Sequence, residues 1–249
     1  MTLDDFFHEN NHIALGFSGG VDSSYLLYAA LKSGAQVRGY YVKSAFQPQF
    51  ELEDAKRLAS QLHADLKILD VDVLSDAAIT ANLADRCYYC KKRIFFAIAA
   101  EAAADGYSLL IDGTNASDDA GDRPGMRALK EMWVRSPLRE CGLTKDEIRC
   151  LSRKVGLFTW NKPAYACLAT RIPTGETITG EKLARTERAE NHLFSLGFTD
   201  FRVRMTGAAA KIQVPASQLP RLMENRTSIV GELKKDYSAV LLDLEARDE

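Results

Sequence analysis

Ser18-Gly19-Gly20-Val21-Asp22-Ser23-Ser24 stands between an apolar, strand-like run at residues 12–17 and a run at residues 23–32 whose apolar residues recur with helical spacing. Two adjacent glycines let a backbone turn tightly with its N–H groups uncovered, and a helix N-terminus adds unpaired donors and the positive end of a dipole. The serine hydroxyls add further donors, and Asp22 could hold the metal ion that accompanies a polyphosphate. The segment is an anion cradle. It is not the Walker loop, because Gly-x-x-x-x-Gly-Lys-[Ser/Thr] is absent. The plainer alternative is an ordinary strand-to-helix turn with Asp22 or Ser23 as the helix cap.

The second chemistry-bearing set is the cysteines, which number five. Cys87-Tyr-Tyr-Cys90 is expected just ahead of a helix over residues 92–104, and Lys91, Lys92 and Arg93 follow it. Cations and a helix N-terminus favour thiolate over thiol. Cys167 lies in an irregular, proline-bearing stretch, residues 157–179, and is bracketed by Lys162 and Arg171. A redox dithiol and a zinc site both remain open for Cys87 and Cys90, but structural zinc takes four ligands and the histidines at 8, 12, 63 and 192 are scattered. A Cys-x-x-Cys pair with one remote cysteine suits an iron–sulfur cluster with one open iron better. Cys141 and Cys150 read as plain core or surface thiols.

The third set is Phe201-Arg202-Val203-Arg204-Met205. Strand alternation places Arg202 and Arg204 on one face, where two guanidinium forks suit a phosphate or carboxylates; a solvated sheet face is the alternative.

These residues need a frame to hold them. Short β-rich runs alternate with helical patterns: strands at 12–17, 36–43, 66–71, 108–112 and 133–136, with helices between them and a capping box at Thr144-Lys-Asp-Glu147. That pattern predicts an α/β fold, a parallel sheet with helices on both faces. A smaller α/β unit is expected beyond it, with a helix over 181–196 and strands near 201–205, 210–214 and 238–244. The expected domains are 1–176 and 177–249. Of the 249 residues, 46% are hydrophobic and 27% charged, which excludes disordered and disulfide-scaffold classes. Lys+Arg 32 against Asp+Glu 34 gives a net charge of −2, which argues against a broad nucleic-acid footprint. Apolar runs reach seven residues at most, as in 25–31 and 94–100, so no membrane span is expected. The acidic N-terminus does not read as a signal peptide, and the expected location is cytoplasmic.

Ser-Gly-Gly-x-Asp-Ser after an N-terminal strand resembles the pyrophosphate loop of the N-type ATP pyrophosphatases (the PP-loop, adenine nucleotide alpha hydrolase-like superfamily). Several stretches together resemble one family closely, the LarE-type ATP-dependent sulfur transferases of nickel-pincer nucleotide biosynthesis. They are Ser18–Ser23, Arg86-Cys-Tyr-Tyr-Cys-Lys91, Asp112-Gly113-Thr114-Asn115, Arg123-Pro-Gly125, Ser136-Pro-Leu138, the Lys162–Pro173 segment and Arg202-Val-Arg204. The resemblance implies ATP and Mg²⁺ at Ser18, Gly19, Gly20, Asp22, Ser23, Gly113 and Asn115. It implies adenylation of a carboxylate of pyridinium-3,5-biscarboxylic acid mononucleotide, pyrophosphate release and sulfur insertion to a thiocarboxylate. Cys167 would be either sacrificed to dehydroalanine or a ligand, with Cys87 and Cys90, of a [4Fe-4S] cluster carrying an extra sulfide; the cluster branch is the expected one. Arg171, Glu190, Arg202 and Arg204 would bind substrate, although Glu190 read alone is an exposed helix residue. A homo-oligomer, a hexamer in the family, is implied, with no nucleic-acid or membrane partner. Thr170 stands where the family pattern has Ser, Thr174 where Tyr is common and Gln213 where an acid is expected. The alternatives are a tRNA-thiolating enzyme, an amidating ligase like NAD or GMP synthetase, and a non-catalytic nucleotide-binding module.

Overall fold

The computed structural model describes residues 1–118 and 124–245. In chain order the elements begin α1 (Leu3–Glu9), β1 (His12–Gly16), α2 (Val21–Lys32), β2 (Gln36–Lys43), α3 (Gln49–Gln61) and β3 (Asp65–Asp70). They continue α4 (Ala77–Thr80), α5 (Arg86–Ala104), β4 (Leu109–Ile111), α6 (Pro124–Glu131), α7 (Pro137–Glu140) and α8 (Lys145–Lys154). The last are α9 (Gly180–Ser195), β5 (Arg202–Thr206), β6 (Ala209–Gln213), α10 (Leu219–Glu224), α11 (Arg226–Leu233) and β7 (Val240–Leu242). Arg123 of the Arg-Pro-Gly stretch lies outside the described residues.

The chain forms two compact units, Met1–Val73 with Asp85–Lys162, and Leu74–Ala84 with Pro163–Glu249. The larger unit is built on a four-stranded sheet in the order β3-β2-β1-β4, every neighbouring pair parallel. Alternation along the strands sends side chains to both faces. Ile13 and Leu15 of β1, with Val37 and Tyr41 of β2, pack with residues of α1, α2, α3 and α8; Ala14, Tyr40 and Val42 pack on the other side with Phe95, Ile98 and Ala102 of α5 and Leu129 of α6. Near-continuous apolar strands with helices on both faces are what a buried parallel sheet requires. The expected fifth strand at 133–136 is a single bridge, Ile111 to Arg135. Trp133 sits at φ 57 just before it. Pro137 follows and has no N–H to donate, so the ladder cannot extend.

The smaller unit carries a mixed sheet, β5-β6-β7, antiparallel then parallel. The chain enters this unit at Pro163, upstream of the expected passage near 176. The reason is hydrogen bonding: Asn82 Nδ2 donates to Pro173 O at 2.8 Å, Gly175 N donates to Asn82 O at 2.9 Å and Ile178 N to Thr80 O at 2.8 Å. The irregular segment is therefore stitched to Leu74–Ala84, and it contains two short 3-10 turns, Phe158–Asn161 and Leu168–Arg171. No described helix is long and apolar enough to cross a membrane.

Candidate active site

The glycine loop follows β1 directly, and α2 begins at Val21 with Gly20 as its N-cap. Asp22 and Ser23 therefore sit inside the first helical turn; neither is the cap. Gly19 adopts φ +71, and a Cβ there would stand 3.2 Å from that of Ala55, so conformation and space both demand glycine. The loop is knit by its own serines: Ser18 Oγ lies 3.1 Å from Ser23 Oγ, Ser23 Oγ donates to Gly20 O at 3.3 Å, and Gly20 N donates to Ser18 Oγ at 3.4 Å.

Gly113 closes on this loop from the end of β4. A Cβ on Gly113 would be 2.9 Å from Ser23 N, a distance that no side chain tolerates. The structure thus brings together Ser18, Gly19, Gly20, Asp22, Ser23 and Gly113 at the carboxyl ends of parallel strands, where ligands of open α/β sheets bind. Asn115 is 2% exposed, but its Oδ1 accepts from Ser117 N at 2.8 Å, so it shapes the turn after Gly113. The same turn is held by Asp112, whose carboxylate accepts from Ser136 Oγ at 2.7 Å and Thr114 Oγ1 at 2.6 Å.

Asp22 has two different oxygens. Oδ2 accepts from Lys145 Nζ at 2.6 Å, whereas Oδ1 is buried and has no hydrogen-bond partner. An orphaned buried carboxylate oxygen in a phosphate-type loop fits a hard cation such as Mg²⁺. Lys145, the first residue of α8, is a site residue that sequence reasoning missed; its only signal was its place just inside the Thr144 capping box, which the structure retains.

Cys87 and Cys90 lie at the N-terminal end of α5, which starts at Arg86 and so includes the pair, whereas the sequence pattern places the pair ahead of the helix. No glycine or proline interrupts Arg86–Ala104, so the buried face of Phe95, Ile98 and Ala102 carries the helix back through the cysteines. Three residues apart on a helix, the two thiols share a face. Cys87 is exposed and Cys90 half-buried. Arg86 Nη2 donates to Cys87 Sγ at 3.6 Å, while Lys92 pairs with Glu131 at 3.2 Å. The pair fits two corners of a metal cluster. Among the described residues no three His, Cys, Asp or Glu side chains stand together to hold a metal ion. Cys141 packs on the core and burial pushes its thiol up; Cys150 is exposed on α8.

In the smaller unit, Cys167 is half-buried and caps the 3-10 turn Leu168–Arg171. The two charges that bracket it in sequence are both engaged. Lys162 pairs with Asp54 at 2.7 Å within the larger unit, and Arg171, 1% exposed, pairs with Glu190. Arg171 Nε and Nη2 donate to Glu190 Oε1 and Oε2 at 2.7 and 3.1 Å. Glu190 also accepts from Val203 N at 2.9 Å and from the Tyr165 hydroxyl. The reading of Glu190 as an exposed helix residue is thereby overturned: it is 1% exposed. The signal was present, since Leu183, Thr186, Glu190 and Leu193 follow one helical stripe and all are buried. Arg202 and Arg204 share a face of β5, as alternation requires. Arg204 Nε donates to Gln213 Oε1 at 2.7 Å, and Gln213 Nε2 donates to Asp243 at 2.7 Å, so the acid expected at 213 is supplied one residue further out by Asp243.

Comparison with known proteins places these features in a family. Residues 12–94 match the family described as Queuosine biosynthesis protein QueC. The pyridinium-3,5-bisthiocarboxylic acid mononucleotide synthase of Lactiplantibacillus plantarum is 34% identical over 246 residues, covering 98% of this chain and 89% of the relative. An uncharacterised protein of Synechocystis is 37% identical over 98% of this chain and 92% of its own length. A tRNA-specific 2-thiouridylase of Clostridium botulinum is 29% identical over 60% of this chain and 52% of its own. The chain belongs to the family of the pyridinium-3,5-bisthiocarboxylic acid mononucleotide synthase, the LarE-type ATP-dependent sulfur transferases of the PP-loop class.

Proposed function

We propose that the protein is an ATP-dependent sulfur transferase. It adenylates a carboxylate of pyridinium-3,5-biscarboxylic acid mononucleotide and replaces the activated oxygen with sulfur to give the thiocarboxylate. The observation that carries this reading is the near full-length match to the synthase, 98% of one chain on 89% of the other.

The chemistry follows from the residues. The backbone of the Ser18–Ser23 loop and the N-terminal end of α2 would hold the β,γ-phosphates, and Asp22 Oδ1 would take the Mg²⁺ that shares their charge. The substrate carboxylate attacks the α-phosphorus, pyrophosphate leaves with the electron pair, and a poor leaving group becomes AMP. A sulfur nucleophile then attacks the acyl carbon and AMP departs. In the sacrificial form this sulfur is the Cys167 thiolate; loss of its α-proton then breaks the Cβ–S bond, leaving dehydroalanine and the thiocarboxylate. In the cluster form, which we favour because Cys87 and Cys90 share one helical face, Cys87, Cys90 and Cys167 would hold a [4Fe-4S] cluster, and such a cluster would supply the sulfide-level sulfur in place of the cysteine's own. Arg202 and Arg204 receive the substrate phosphate, with Arg171 and Glu190 behind them. Gly113 and Asn115 form the wall opposite the phosphate loop. We assign the protein to the cytoplasm as a homo-oligomer with no nucleic-acid partner.

Anaerobic purification with an absorbance spectrum, iron and sulfide assays, and intact mass after turnover tests the reading. A brown protein of unchanged mass after several turnovers supports the cluster form, and a colourless one that has lost the elements of H₂S from Cys167 supports the sacrificial form. Pyrophosphate release that requires tRNA in place of the pyridinium mononucleotide would overturn both.

A further inference from the structure

The carbonyls around Cys167 are held by side chains, one after another. Arg202 Nη2 donates to Ala164 O, and Arg171 Nη1 donates to Ala166 O at 2.9 Å. Thr170 Oγ1 donates to Cys167 O at 2.8 Å and itself accepts from Arg171 Nη1 at 2.8 Å. Arg204 Nη1 donates to Thr170 O at 2.7 Å. The Tyr165 ring lies beneath two guanidiniums, with Arg171 Cζ 4.5 Å and Arg202 Cζ 5.3 Å from its centroid. All of these residues belong to the smaller unit.

A segment with no regular ladder must satisfy its carbonyls by other means. Here the donors are arginines, whose planar forks fix direction as well as distance and whose charge strengthens each bond. Arg202 is 5% exposed, and Arg204 is braced from behind by Gln213 and Asp243. Both guanidiniums therefore project from a rigid strand and grip the loop three residues before and three residues after the thiol.

We propose that Arg202 and Arg204 are positioning residues for Cys167: by pinning the carbonyls of Ala164 and Thr170 they fix the orientation and access of its thiol. This goes beyond a phosphate-binding role for the two arginines. It makes the same guanidiniums the link between whatever anion reaches them and the reactive sulfur, because a phosphate competes for the N–H groups that hold the loop.

The test is the rate of iodoacetamide alkylation at Cys167, followed by peptide mass mapping in the full chain without ATP or substrate. Exposed Cys150 serves as the internal reference. Arg204→Ala and Arg202→Ala are expected to raise the Cys167 rate by about tenfold, as release of a locally closed segment does, with Cys150 unchanged. Arg204→Lys, which keeps the charge and one carbonyl bond, is expected to restore most of the wild-type rate. Gln213→Leu removes the brace without removing the arginine, and a several-fold rise at Cys167 is expected should the arginine variants not fold. Unchanged Cys167 rates in folded variants, or equal rises at Cys167 and Cys150, would overturn the proposal. Because no turnover is read, these outcomes stand whether or not the protein transfers sulfur.

Discussion

Arg171 and Glu190 meet twice inside the smaller unit, at 2.7 and 3.1 Å, with side-chain exposures of 0% and 1%. One carboxylate joins α9 to the Cys167 loop through Arg171 and Tyr165, and to β5 through Val203 N. Burial alone would push the Arg171 guanidinium down, but the Glu190 carboxylate outweighs it and holds it above its ordinary value.

Removing one partner of a sealed ion pair leaves the other charge buried and uncompensated. Glu190→Ala is therefore expected to cost about 3–5 kcal/mol of stability, read as a lowered urea midpoint with little change in slope. Glu190→Gln, whose one amide oxygen can still accept from Val203 N while its amide N–H can donate to the Tyr165 hydroxyl oxygen, is expected to cost less. Equal losses would show that the carboxylate charge, and not the hydrogen bonds that Gln can retain, is what the pair contributes.

Gly113→Ala forces a Cβ to 2.9 Å from Ser23 N, and the phosphate loop must shift to admit it. Pyrophosphate release is expected to fall by about a hundredfold, in line with misplacing a binding loop by roughly an ångström, while helical circular dichroism is retained. Gly125→Ala, whose Cβ would meet nothing nearer than Lys91 at 3.6 Å, is the control and should leave release unchanged.

The Asp22–Lys145 pair is partly exposed, so its contribution to stability is about 1 kcal/mol or less. Its role is in the loop. Asp22→Asn is expected to abolish Mg²⁺-dependent pyrophosphate release with a thermal midpoint close to wild type. A large fall in the midpoint would show that Asp22 is instead a structural anchor.

Asp105 receives hydrogen bonds from Lys67 and Tyr40 and pairs with Arg38 at 3.0 Å, and these partners hold its carboxyl down to about 2 from an ordinary 3.8. A depressed carboxyl stabilises the fold above its unfolded value and loses that contribution as pH falls through its folded one. The stability difference between wild type and Asp105→Asn should be constant above about pH 5 and shrink between pH 4 and 2. Denaturant midpoints across that range check it, and a difference that persists unchanged at pH 2 would exclude the linkage.

The sequence by itself determined the periodic parts of this protein. Strand, glycine loop and helix at residues 12–32, the Thr144–Glu147 capping box and the alternation of Arg202 with Val203 depend on neighbours in the chain, where propensity, capping and pleat act locally. Family membership was legible for the same reason: a phosphate loop and a cysteine segment are short runs of contiguous residues. Tertiary structure alone decided the rest. Cys87 and Cys90 entered the helix because apolar burial further along α5 carried it past its weakest formers. The strand expected at 133–136 shrank to one bridge. Lys145 reached Asp22 across 123 positions of sequence, and Glu190, a carboxylate that reads as surface, was sealed because Arg171, Tyr165 and a β5 amide converge on it. Charged and polar residues are placed by partners distant in sequence, since desolvating a charge is tolerated only where opposite charge and donors meet it in space.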